Sequence, residues 1–246
     1  MPNAIPPSLT VPAEPYDFGF DTATTALIVI DMQRDFVEPG GFGELLGNDV
    51  SPLQQVIEPL ARVLAAARAA GMTVIHTREG HRADLSDCPP AKLARGNLDV
   101  GIGDRGPNGR ILIRGERGHD IVDDLYPMPG EPVVDKPGKG SFYGTDLDAI
   151  LHARGIRRLV VTGVTTEVCV HTTVREANDR GYEVLVLSDC VQSYFPEFHR
   201  VALAMISAQG GIFGWVTPST HLLEALQAEE LQTVPESSVE PVPAIS

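Results

Sequence analysis

The most constraining feature of this chain is a repeated switch between two hydrophobic periods. Short apolar runs ending in a polar residue alternate with longer stretches in which apolar residues recur every three or four positions. Thr25–Asp31 (TALIVID), Met72–Thr77 (MTVIHT), Glu131–Lys136 (EPVVDK), Arg157–Val164 (RRLVVTGV), Glu183–Asp189 (EVLVLSD) and Gly211–Val216 (GIFGWV) have the character of strands, most of them buried on both faces. Between them, 52–70 carries Val56, Leu60, Val63, Leu64 and Ala67 as a helical stripe closed by Gly71. Thr145 with Asp148 resembles a capping box opening a helix that ends near Gly155. Helices are also expected over 165–180, closed by Gly181, and over 197–209.

Strand and helix in steady alternation imply parallel strands joined by right-handed crossovers. The chain therefore reads as an α/β protein, a single-domain parallel, Rossmann-like sheet flanked by helices on both faces and spanning 25–232. Residues 1–24, rich in proline, are expected to form an extended arm, and 233–246 a disordered tail. Little regular structure is expected over 80–131, where Gly, Pro and Asp are frequent.

Charge narrows the function. With 33 acidic and 19 basic side chains the net charge is −14, which disfavours nucleic acid and anionic membrane surfaces as partners. Three cysteines, Cys88, Cys169 and Cys190, make no disulfide framework and no Cys-x-x-Cys pair. The N-terminal residues lack the features of a secretory signal, and no run approaches 18 apolar residues. A cytoplasmic enzyme or small-molecule binder is the expectation.

In open parallel sheets ligands bind beyond the carboxyl ends of the strands. Three polar residues stand there: Asp31, Lys136 and Cys169. Singly, each has an ordinary reading as a turn former, a solvated charge or an inert core thiol. Together they are a base, a cation and a nucleophile. GVTTEVCV runs from Gly163 at a strand end into the first helical turn, where free N–H groups and the helix dipole lower a thiol's pKa and can hold an oxyanion. His171, two residues on, points to another face and is assigned no role.

The segments VIDMQRDFVEPGG, VVDKPGKGSFYGTDL and VTGVTTEVCVHTTVREANDRGYEVLVLSDC resemble the signature segments of the isochorismatase-like cysteine hydrolases, over roughly 25–216. The resemblance implies a triad of Asp31, Lys136 and Cys169, an oxyanion hole from the backbone N–H groups of Thr165 and Cys169, and a cis Val164–Thr165 peptide. HTREGHRADLSDCPP holds His76 and His81 but not the Asp-x-His metal motif of the nicotinamidases, so no metal and no cofactor are expected. This segment, KPGKGSF and AQGGIFG are most similar to the small-ureide amidohydrolases, which implies biuret or triuret as substrate and Gln209 as a substrate contact. Lys139, Phe36, Phe42 and Tyr143 are further pocket candidates, and Ser193–His199 departs from the biuret enzymes.

The expected chemistry is attack by the Cys169 thiolate on a terminal carbamoyl carbon, with Asp31 as base, Lys136 balancing its charge, and ammonia released through a thioester. The alternatives are an amidohydrolase of ureidoacrylate or N-carbamoyl amino acids, or, in another class, a non-catalytic or redox-sensing module in which Cys190 resolves an oxidised Cys169. A homotetramer is the expected assembly, with Tyr16, Phe18 and Phe20 of the arm packing on a neighbour.

Overall fold

A computed structural model describes residues 7–95 and 99–233. The first described elements are β1 (Leu9–Val11) and β2 (Phe18–Phe20), an antiparallel pair. Then follow β3 (Thr25–Ile30), the short helices α1 (Arg34–Val37), α2 (Phe42–Leu45) and α3 (Ser51–Gln54), and the longer α4 (Ile57–Ala69). β4 (Thr73–Glu79) leads into α5 (Pro90–Leu93), the two-residue strands β5 (Arg105–Gly106) and β6 (Gly109–Arg110), and β7 (Val133–Lys136). The remainder is α6 (Leu147–Ala153), β8 (Arg158–Val164), α7 (His171–Asp179), β9 (Glu183–Gln192), α8 (Pro196–Gly211), β10 (Trp215–Thr217) and α9 (Ser219–Thr233).

Six strands form one sheet in the order β10-β9-β8-β3-β4-β7, and every neighbouring pair is parallel. The central strand β3 shows why its sequence reads as a continuous apolar run. Its side chains alternate between faces, and both faces are covered. Leu27 and Val29 join Leu60, Val63 and Leu64 of α4 and Leu222 and Leu226 of α9 in one core. Ala26, Ile28 and Ile30 join Leu147 and Leu151 of α6, Val174 of α7 and Ile206 of α8 in the other. The expected α/β architecture is the observed one.

Several local expectations change. The 52–70 stripe divides into α3 and α4. The Thr145–Asp148 capping box is not made: α6 starts at Leu147, whose N–H is bonded by Thr145 Oγ1 at 3.3 Å, while Asp148 accepts from Tyr182 Oη at 3.0 Å. The arm expected over 1–24 is, from Leu9 to Phe20, a hairpin on the chain's own core. Phe18 and Phe20 are buried there with Val11, so they are not free to pack on a neighbour. Tyr16, half exposed, meets Trp215 edge-to-face. Helix α9 has no counterpart among the expected helices. The tail at 233–246 lies, but for its first residue, outside the described residues. Among the described residues no helix is long and apolar enough to cross a membrane.

One glycine is dictated by strand pairing at the site. Gly163 has φ +103°, and a Cβ there would collide with the backbone carbonyl of Ile30 on β3. Its place lets β8 run flush against β3, so the loops leaving both strands open onto the same spot.

Candidate active site

Three strand ends and one short helix deliver the charged groups, and the turn after β8 brings the thiol. Asp31 follows β3 directly, with φ +50°, a left-handed conformation that Asp tolerates better than most residues. Its N–H donates to Thr77 O at 3.1 Å, and Thr77 Oγ1 donates to its Oδ1 at 2.7 Å. Lys136, the last residue of β7, sets Nζ 2.7 Å from Asp31 Oδ2, and neither side chain has any solvent exposure. The same ammonium donates to the carbonyls of Gly138 and Lys139 at 3.0 and 2.8 Å. Burial works against its charge, yet Asp31, Cys169 and Glu79 raise its pKa above the ordinary lysine value.

Cys169 lies in a π-helical turn, Thr166–Val170, between β8 and α7. The helix start suggests a lowered thiol pKa from sequence alone. Burial instead pushes the thiol well up, opposed in part by Lys136. The resting group is thus a neutral thiol, and its ionisation needs a base at hand. The peptide Val164–Thr165 is cis, as the resemblance implied.

Glu79, the last residue of β4, is a member of the site that the sequence pattern does not single out. It is fully buried, and its Oε2 accepts the Cys169 thiol at 3.6 Å. Lys92 and Lys139 both bond its Oε1, at 2.7 and 2.8 Å, and Lys136 Nζ lies 3.8 Å from Oε2. Burial would raise this carboxyl's pKa, but the ammoniums of Lys136, Lys139 and Lys92 hold it down to about 2. Gln33 anchors its backbone twice, accepting from Glu79 N at 2.7 Å and donating to Glu79 O at 2.9 Å.

A cavity of about 160 Å³ opens on the thiol, lined by Phe36, Phe42, Gly43, Leu46, Glu79, Lys139, Val164, Thr165, Val168, Cys169 and Tyr194. That is below the roughly 300–1,000 Å³ of drug-sized sites and suits a small substrate. Larger cavities of about 600 and 620 Å³ lie elsewhere and include no member of the charged cluster. Asp31, Glu79 and Cys169 place ligand atoms within 4.8 Å of one another, as a metal site would. Their charge is already met by the ammoniums of Lys136, Lys92 and Lys139, so the donor set does not fit a resident cation.

Comparison with known proteins decides the family: residues 25–220 match the model described as an isochorismatase domain. The chain belongs to the isochorismatase family. It is 39% identical over 233 residues, 93% of this chain and 93% of the relative, to the ureidoacrylate amidohydrolase RutB of Methylorubrum extorquens. It is 35% identical to that of Cronobacter sakazakii, over 92% of this chain and 99% of the relative. Among solved structures, a cysteine hydrolase from Pseudomonas syringae pv. phaseolicola 1448A superposes with TM-score 0.73 at 29% identity, covering 88% of this chain and 98% of that one. An isochorismatase family protein from Desulfovibrio vulgaris gives TM-score 0.68 at 31% identity, covering 83% and 98%. The expected enzyme class, a hydrolase acting on amides, stands with these matches.

Within this isochorismatase-family site, Asp31, Lys136 and Cys169 come together as the sequence suggested. Thr165, Lys139, Phe36 and Phe42 line the cavity. Tyr143 does not: it is 61% exposed, its ring stacked beside Gly138. Gln209 does not reach the cavity either. α8 loses helical geometry at Ala208, and Gln209 turns out with φ +53°, exposed to solvent. Ser193–His199 contributes Tyr194, whose hydroxyl donates to Phe36 O at 2.9 Å across the cavity wall. His171 Nδ1 accepts from Arg175 Nε at 3.0 Å and lines no part of the cavity. Cys190 belongs to the core on the opposite sheet face from Cys169, which leaves it unsuited to resolving an oxidised Cys169.

Proposed function

We propose that the protein hydrolyses the terminal carbamoyl group of a small ureide that also carries a carboxylate, a ureidoacrylate-type substrate, with release of ammonia. Asp31 takes the proton of Cys169, and the thiolate attacks the carbamoyl carbon. The N–H groups of Thr165 and Cys169, at the start of a helical segment where amides lack intrahelical acceptors, receive the oxyanion. The proton returns to the leaving ammonia, and water then hydrolyses the thioester. Lys136 balances the charge of Asp31 throughout.

The observation that carries this reading is Lys139. Among the described residues its ammonium has one hydrogen-bond partner, Glu79 Oε1. Its side chain is 43% exposed and lines the cavity, so N–H donors remain for a substrate anion. A carboxylate on the ureide uses them, whereas biuret or triuret offers only neutral carbonyls. The ureidoacrylate amidohydrolases at 35–39% identity support the same choice. Gln209, on which a biuret or triuret preference leaned, does not line this cavity.

Ammonia release from ureidoacrylate, biuret and triuret tests the proposal, with wild type beside Lys139→Met. The expected result is a wild-type preference for the carboxylate-bearing ureide. In the variant, loss of a charge near Cys169 lowers kcat/KM on every substrate, and the fall on the carboxylate-bearing ureide is about 10–100-fold greater than on biuret, the scale of one charge-assisted hydrogen bond. A wild-type preference for biuret or triuret, or equal losses on all substrates, overturns it.

A further inference from the structure

We propose that Lys92 is a positioning residue for the nucleophile, a fixed internal cation that orients Glu79 and favours the charged form of Cys169 without touching substrate. The inference rests on the reading of Cys169 as the nucleophile.

Its ammonium is saturated by the protein. Three N–H donors meet three acceptors: Glu79 Oε1 at 2.7 Å, Pro137 O at 2.7 Å and His81 Nε2 at 2.9 Å. With only 13% of its side chain exposed, Lys92 has no donor left for a ligand. His81 accepts through Nε2 and so carries its proton on Nδ1, which faces Asp87 Oδ1 at 3.3 Å. Burial, and after it the Lys92 charge, lowers the His81 pKa, keeping the ring neutral and able to accept. Lys139 differs: it shares Glu79 Oε1 but is far more exposed and lines the cavity.

Both of these lysines take the same oxygen of Glu79. That arrangement leaves Oε2 turned to the Cys169 thiol at 3.6 Å. The charges around the sulfur come from every element packed on it. Asp31 follows β3, Glu79 ends β4, and Lys136 and Lys139 come from the end of β7 and its loop, while Lys92 of α5 stands one contact further out, against the far oxygen of Glu79. Tyr194, beyond β9, adds a neutral hydroxyl already committed to Phe36 O. Two carboxylates and three ammoniums leave one positive charge in surplus while the thiol is protonated, and none once its proton has been lost to solvent. Lys92 supplies the third cation. Without it, loss of the thiol proton to solvent, which the pH dependence of alkylation reads, would leave the buried cluster with a net negative charge.

Helix α5 itself is built to hold the lysine. Pro90 occupies its first turn, where a missing N–H costs nothing, and the four-residue helix then delivers Lys92 over the end of β4.

The test is the rate of Cys169 alkylation by iodoacetamide in the free enzyme as a function of pH, read by peptide mass because Cys88 and Cys190 are also free thiols. Lys92→Met keeps the apolar stem and removes the charge. Its Cys169 alkylation at pH 8.5 is expected to fall about tenfold or more, equivalent to a rise of about one unit in thiol pKa, with kcat reduced in parallel and KM little changed. Lys92→Gln, which keeps a donor toward Glu79, gives the same reading should the Met variant be unstable. Alkylation profiles that superpose on wild type in a folded variant overturn the proposal. The assay uses no ureide, so failure of the substrate assignment would leave its outcome unaffected.

Discussion

Cys169 donates its thiol hydrogen to Glu79 Oε2 at 3.6 Å, while Asp31 is held by Lys136 at 2.7 Å. In the proposed mechanism the nucleophile thus rests against one carboxylate and works with another. Glu79 stays ionised under all working conditions, its carboxyl held down to about 2 by three lysines against the opposing effect of burial. A negative neighbour disfavours the thiolate. Glu79→Gln is therefore expected to alkylate faster at Cys169 near pH 8. Ammonia release should drop at least about tenfold, because Lys92 and Lys139 lose their shared anchor. Slower alkylation in the variant contradicts this role for Glu79.

The cavity wall opposite the thiol depends on a glycine. A Cβ at Gly43 would run into the Tyr194 hydroxyl and lie 2.8 Å from its ring carbon Cζ. Gly43→Ala is expected to displace Tyr194 and lower kcat/KM about tenfold or more. Tyr194→Phe, which loses only the bond to Phe36 O, should cost about 0.5–1.5 kcal/mol of stability and leave the cavity shape intact. Steady-state kinetics on both variants check the difference. Wild-type kinetics in Gly43→Ala would show that Tyr194 does not shape the site.

Acid should weaken the fold through its buried histidines. Burial lowers the pKa of His76, His81 and His119, and that of His119 falls to about 4. Between about pH 6.5 and 4 the unfolded chain binds a proton at His119 that the folded chain refuses, so stability is lost as pH falls through this window. Asp35 acts in the opposite sense, because burial raises its carboxyl to about 6 and its protonation relieves the fold. Comparison with His119→Gln isolates the histidine. The wild-type Tm is expected to drop more steeply from pH 6.5 to 4, by about 5 °C relative to the variant. Parallel curves would remove His119 from the explanation.

The sheet was legible because strands covered on both faces must be apolar throughout, and β3, β8 and β9 each carry that run. Asp31 and Lys136 were legible only in company with Cys169, because each alone reads as a turn former or a solvated charge, whereas the three at neighbouring strand ends make a base, a cation and a nucleophile. Glu79 was hidden by its neighbours: in His76-Thr77-Arg78-Glu79 the apolar pattern stops early, although β4 continues to Glu79. Its meaning comes from Lys92, Lys136 and Lys139, which lie 13 to 60 positions away in sequence. The hairpin of Leu9–Phe20 was masked by prolines that read as an open arm, yet Val11, Phe18 and Phe20 bury their side chains. Gln209 was misplaced because helix periodicity does not register the left-handed turn at its own position.

The mechanism stands on Cys169 as the nucleophile, and ammonia release by Cys169→Ser tests it most directly. The hydroxyl keeps nearly the shape of the thiol but ionises far less readily, so the variant should fold and bind as wild type does. With far-UV circular dichroism matching wild type, ammonia release from the ureide is predicted to fall below a few per cent of the wild-type rate. A folded Cys169→Ser protein that keeps more than that would contradict the mechanism.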